Sequence, residues 1–250
     1  MNKIRVWFSE LLPFTFVTVM WLMHLYLGFA QEDGLSLAMH PRSVTGLWGI
    51  IFSPFLHGDF VHLLNNTIPL LVLGFLLTSM YGPVSRRVFI GVYIIHGILL
   101  WFFARDSYHI GASGVVYGLA AFLFLSGIIR RHPRLMVITL LVVFLYGTMV
   151  WGVMPFDPKI SWEAHLYGAL TGLMLAVVFR KEGPQRPQEI IEEEDDTDTP
   201  LTEEELQLLS PEQQDALLRN KESAPETTQQ PVIRVLYDYT EKKPDADDRS

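Results

Sequence analysis

Residues 109–118 read HIGASGVVYG, which sets Ser113 between glycines. A serine attacks a carbonyl only when a base within hydrogen-bond reach takes its proton. The stretch WEAHLYGALTG supplies a candidate base, His165. Acyl transfer also needs donors aimed at the developing oxyanion, and FVHLLNNTIPLL offers His62 and Asn66 four residues apart. On a helix that spacing puts both side chains on one face, about one turn apart, with Asn65 turned away by roughly 100 degrees. Ser113 and Tyr117 repeat the four-residue spacing. If Ser113 opens a helix, its own N–H is a further oxyanion donor, because the first N–H groups of a helix have no partner within it. Glu163 lies two residues from His165 and on another face, so a Ser-His dyad is expected rather than a triad, with Tyr117 stacking on the imidazole to fix the ring. Taken singly, each residue also has a structural reading: Ser113 as a small packing residue, His165 as a satisfied buried histidine, Asn66 as a bridge between helices.

The elements that must position these residues are apolar. Half of the 250 residues are hydrophobic and none is cysteine, which excludes disulfides and thiolate metal sites. Six stretches approach the roughly 20 residues that cross a hydrocarbon core about 30 Å thick: about 11–30, 60–81, 88–104, 113–129, 135–153 and 162–179. The first has Lys3 and Arg5 before it but is long for a signal peptide and lacks a clear cleavage site, so it is read as a retained helix. With the amino terminus cytoplasmic, the inner segments hold Lys3, Arg5, Arg86, Arg87, Arg130, Arg131, Arg134, Arg180, Lys181 and Arg186, and the outer ones only Arg42, Arg105 and Lys159. The positive-inside rule therefore places both termini in the cytoplasm. The second, fourth and sixth spans then all run inward, and His62, Asn66, Ser113, Tyr117 and His165 share one depth just below the outer surface. The pairs Gly114/Gly118 and Gly168/Gly172 allow the fourth and sixth spans to approach closely. The fourth span is short, so RDSYHIGA before it is expected to dip into the membrane as irregular backbone lining protein or a water-filled cavity.

Charge divides the chain. Residues 1–181 carry 12 Lys and Arg against 7 Asp and Glu, whereas residues 182–250 carry 7 against 20. A cytoplasmic segment 1–10, a six-helix core 11–181 and a largely disordered acidic tail 182–250 follow. Within the tail, Thr202 with Glu205 and Ser210 with Gln213 fit capping boxes, and VIRVLYDY, 232–239, could form a strand against a partner. His24, His40, His96, His109 and His132 are read as packing or solvated groups, and His57 as lining water access. No histidine or acidic spacing supports a metal site. The loop MPFDPKIS, 154–161, is a candidate lid because its prolines restrict it.

Three motifs in order, HLLNN (62–66), GASG (111–114) and AHLYGALTG (164–172), resemble those of the rhomboid family of intramembrane serine proteases over about residues 10–180. The resemblance implies an all-α, polytopic six-helix bundle with Ser113 as nucleophile and His165 as general base and then acid. His62, Asn66 and backbone N–H form the oxyanion site, with Tyr117, Gly111, Gly114, Gly118, Gly168 and Gly172 supporting. It implies single-span membrane-protein substrates cleaved near the outer face, a lipid bilayer as medium, and neither cofactor nor nucleic-acid partner. A bacterial plasma membrane is the expected location, and the tail is left for a cytoplasmic partner. Many members carry a Trp-Arg pair in the first outer loop; here Arg42 and Trp48 are separated. The rival functions are a catalytically inactive relative that binds membrane proteins, and a transporter using the histidines as a proton relay. The latter would need polar residues through the whole membrane depth.

Overall fold

A computed structural model describes residues 3–157, 160–186, 188–189, 209–213 and 235–236. Among the described residues of the first 186, seven α-helices follow one another: α1 Lys3–Ala30, the single turn α2 Gly49–Phe52, α3 Phe60–Tyr81, α4 Pro83–Phe103, α5 Ser113–Arg130, α6 Pro133–Tyr146 and α7 Trp162–Val178. Their boundaries have local causes. The Asp59 carboxylate accepts the His62 N–H at 2.8 Å and starts α3. Gly82, at φ 50°, ends it, and Pro83 at the first position begins α4 at once. That turn makes α4 start five residues before the expected Val88. Pro133 likewise opens α6, whose first turn is capped by His132 Nδ1 accepting from Arg134 N at 3.2 Å.

Two further boundaries depart from expectation. Helix α1 is already helical at Lys3, and α6 stops at Tyr146 rather than running to Val153. Residues Gly147–Val153 wind instead as a 3-10 helix. At about 1.5 Å and 2 Å per residue the two pieces still span about 35 Å. Helices α1, α3, α4 and α5 each carry a stretch long and apolar enough to cross a membrane, while α6 and α7 are shorter apolar helices. Large apolar side chains cover the outside of the bundle, among them Phe75 (57 % exposed) and Phe144 (85 %). Such a surface matches lipid rather than water. The protein is an all-α integral membrane protein.

Helix α5 is the axis of the bundle, the most buried of the four long spans. Toward α7 it presents bare backbone at Gly114 and Gly118. A Cβ added to Gly168 would lie 2.0 Å from the Gly114 carbonyl oxygen, and one at Gly172 2.0 Å from that of Gly118. The two backbones are therefore in direct contact along both glycine pairs, as expected. At its carboxyl end α5 carries Arg130, only 4 % exposed. Its guanidinium donates to Ser126 Oγ (2.8 Å) and to the carbonyls of Phe179 (2.6 Å), Glu182 and Pro184 (3.2 Å), and lies over the Tyr81 ring. Arg130, counted from sequence among the cations of the connecting segments, is thus a buried clamp on the end of α7.

Contacts divide the chain at Arg186/Pro187. In the second unit Gln188–Glu189 pairs antiparallel with Val235–Leu236, within the segment expected to form a strand. Ser210 Oγ accepts from Gln213 N at 3.4 Å and Gln213 Oε1 accepts from Ser210 N at 3.0 Å, a reciprocal capping box. Thr202 and Glu205 lie outside the described residues.

Candidate active site

Ser113 is the first residue of α5, and its Oγ lies 2.8 Å from His165 Nε2 on α7. The other ring nitrogen, Nδ1, lies 2.8 Å from the Gly152 carbonyl oxygen. A carbonyl only accepts, so Nδ1 carries the proton and Nε2 presents its lone pair to the serine hydroxyl. Tyr117 stacks on the imidazole with centroids 4.1 Å apart and planes 5° from parallel. His165 is 9 % exposed. Its ring is held on both edges and one face.

On the opposite side of the serine loop, Gly111 adopts φ 103°, a region that favours glycine. A Cβ there would lie 2.6 Å from His62 Nε2 and 3.8 Å from Asn66 Nδ2. The loop therefore rests directly on the two residues expected at the oxyanion site. Asn66 is buried and donates one amide hydrogen to the His62 carbonyl at 3.0 Å; Asn65 is exposed. The Ser113 and Gly114 N–H groups, in the first turn of α5, have no backbone partner among the described residues. Ser113 thus meets His165 of α7, and the loop that precedes it rests on His62 and Asn66 of α3.

The loop before α5 is irregular yet satisfied by protein. Met39 and His109 exchange backbone hydrogen bonds of 3.1 and 2.8 Å, and Gly111 N donates to the Ser53 carbonyl at 2.9 Å. This is the arrangement that irregular backbone at membrane depth requires. Below it, Arg105 pairs with the buried Glu163 at 3.5 Å and donates to the Ile160 carbonyl at 2.8 Å, while His109 Nδ1 meets Ser161 Oγ at 2.5 Å. These contacts fix the start of α7, three residues before His165. Glu163 serves that ion pair and does not orient His165.

A sequence model of the Rhomboid domain matches residues 44–182. The chain belongs to the rhomboid family. Over 186 residues it is 38 % identical to an uncharacterized protein of Mycobacterium tuberculosis, a match covering 69 % of this chain and 75 % of that one. An uncharacterized protein of Mycobacterium leprae is 33 % identical over 197 residues, 74 % and 76 % of the two chains. RHOMBOID-like protein 4 of Arabidopsis thaliana is 31 % identical over 139 residues, 52 % of this chain and 34 % of that protein.

Two further groups of this rhomboid lie beside Ser113 and His165. His96, expected to pack or be solvated, is buried; its Nδ1 lies 2.7 Å from the Val92 carbonyl, and a Cβ at Gly114 would fall 2.6 Å from its ring. It fills the space behind Gly114. The Gly152 carbonyl was missed because a backbone acceptor leaves no residue-type signature; the only signal was a glycine in an otherwise apolar run. His57 is 7 % exposed, edge-on to His62 at 4.9 Å, with no hydrogen-bond partner for Nε2 among the described residues. Burial, reinforced by His62, lowers its pKa to about 4. Of the lid 154–161, Pro158 and Lys159 lie outside the described residues.

Proposed function

We propose that this rhomboid is a serine endopeptidase that hydrolyses peptide bonds in or near transmembrane segments. Its carrying observation is the 2.8 Å contact between Ser113 Oγ and His165 Nε2, with Nδ1 committed to a carbonyl. In this mechanism Ser113 Oγ attacks the substrate carbonyl carbon as His165 Nε2 takes the hydroxyl proton. The carbonyl oxygen becomes an oxyanion, stabilised by the Ser113 N–H, His62 and Asn66. Collapse breaks the C–N bond, the leaving amine takes the proton from Nε2, and an acyl-enzyme remains. Water then attacks the ester, giving its proton to Nε2, and the serine leaves with that proton. Single-span proteins are the proposed substrates, cleaved near the outer face, in a bacterial plasma membrane with both termini of the enzyme cytoplasmic.

A binding-only relative needs no nucleophile and base in hydrogen-bond contact, so the dyad favours turnover. The test is cleavage of a single-span substrate in proteoliposomes. Ser113→Ala is expected to abolish it while the variant remains folded in the membrane, and full activity in that variant would overturn the proposal. A serine-directed fluorophosphonate should label Ser113 in the wild type and far less in His165→Ala.

A further inference from the structure

A serine protease base needs a group that holds its far nitrogen protonated and its ring in line, a task an aspartate performs in the Ser-His-Asp arrangement. The nearest carboxylate on α7 here, Glu163, is spent on Arg105. The position of the missing acid is filled by backbone. The Gly152 oxygen sits 2.8 Å from Nδ1, and a Cβ on Gly152 would collide with the Tyr117 hydroxyl at 1.9 Å and approach Nδ1 to 3.2 Å. Only a glycine lets the chain enter the corner between the stacked rings and present its carbonyl edge-on.

We infer that the Gly152 carbonyl is the positioning group of the dyad, selecting the Nδ1–H tautomer and orienting His165 toward Ser113; this rests on the protease proposal above. When His165 accepts the serine proton, the same carbonyl accepts a charge-assisted hydrogen bond from the imidazolium. It offers a dipole where an aspartate offers a full charge. The carbonyl also belongs to the 3-10 segment Gly147–Val153 and not to α5 or α7. The readiness of the base therefore depends on where that segment lies, and a displacement of the segment disarms His165 without moving either catalytic side chain.

Replacing Val153 by its α-hydroxy acid in the full chain converts the 152–153 amide into an ester, whose carbonyl is a weaker acceptor of the same shape. With a single-span substrate in proteoliposomes, kcat is expected to fall roughly 10-fold with KM unchanged, less than the roughly 10⁴-fold loss when a triad aspartate becomes an amide that favours the wrong tautomer. Nitrogen-15 spectra of histidine-labelled protein, with the His165 signal assigned from His165→Ala, should show Nδ1 protonated in the wild type and a mixed tautomer in the ester. Gly152→Ala, which drives the carbonyl away by the Tyr117 clash, should give the same spectral change and a larger loss of kcat. Tyr117→Phe added to Gly152→Ala removes the colliding hydroxyl and should recover part of both. An unchanged tautomer and kcat in the ester would overturn the inference even if Ser113→Ala confirms the protease. If the wild type cleaves nothing, the protease proposal fails, and the tautomer spectra still decide whether Gly152 orients the ring.

Discussion

Helix α5 has two neighbours that hold it in opposite ways. Against α7 it packs backbone to backbone along both glycine pairs, leaving no room for a single added carbon. Against α6 the close contact is at one end. A Cβ on Gly127 would lie 2.7 Å from the Leu135 carbonyl, and Thr139 Oγ1 donates to the Phe124 carbonyl at 3.2 Å. Farther along, α6 turns its apolar side chains outward, and Phe144 is almost fully exposed. Ser113 and His165 thus sit at the backbone-to-backbone contact of α5 and α7, while the segment that continues α6 carries the carbonyl that His165 Nδ1 meets.

The largest effect should come from breaking the rigid side. Gly168→Val drives its side chain into the Gly114 backbone, so a destabilisation on the order of 4–5 kcal/mol is expected, at the upper end for single substitutions. Thermal unfolding in detergent, together with loss of substrate cleavage, would measure it. Near-normal stability would show that α5 and α7 are farther apart.

His57 tests the third side of the site, where the serine loop meets α3. Its pKa is lowered in the fold, so the unfolded chain binds the proton more readily. Stability is then full above the ordinary value of 6.5 and is lost as pH falls toward 4. About 2 kcal/mol should disappear between pH 7 and pH 5. His57→Gln should remove that share of the dependence, leaving the share of His109, whose pKa burial also lowers, and an unchanged slope would place the titration elsewhere. On the α6 side effects should be smaller. Thr139→Val removes one interhelical hydrogen bond, a loss of roughly 0.6 kcal/mol. Phe144→Ala, on the lipid side, should change stability by less than about 0.5 kcal/mol.

The same contrast explains what could be read from the chain. His62/Asn66 and Ser113/Tyr117 announce themselves by four-residue spacing, and helix direction equalises their depth, so the contact between Ser113 and His165 follows from the order of the spans. The glycine pairs were legible because a run without side chains can serve only close approach. The clamp at Arg130 was not, since loop arginines are ordinarily solvated and three of its four acceptors are main-chain oxygens about fifty residues away. Nor was the shift from α to 3-10 winding after Tyr146, where the apolar run continues unbroken and local preference changes nothing visible.

Arg130 also bears on how the protein assembles. Its guanidinium enters the edge of the membrane with the carboxyl end of α5, but the carbonyls it donates to belong to residues 179–184, made some fifty residues later. Until α7 is in place the charge must stay hydrated. Helix α7 therefore closes the bundle, and a nascent chain halted before Phe179 leaves the Arg130 cation with Ser126 Oγ but without its main-chain acceptors.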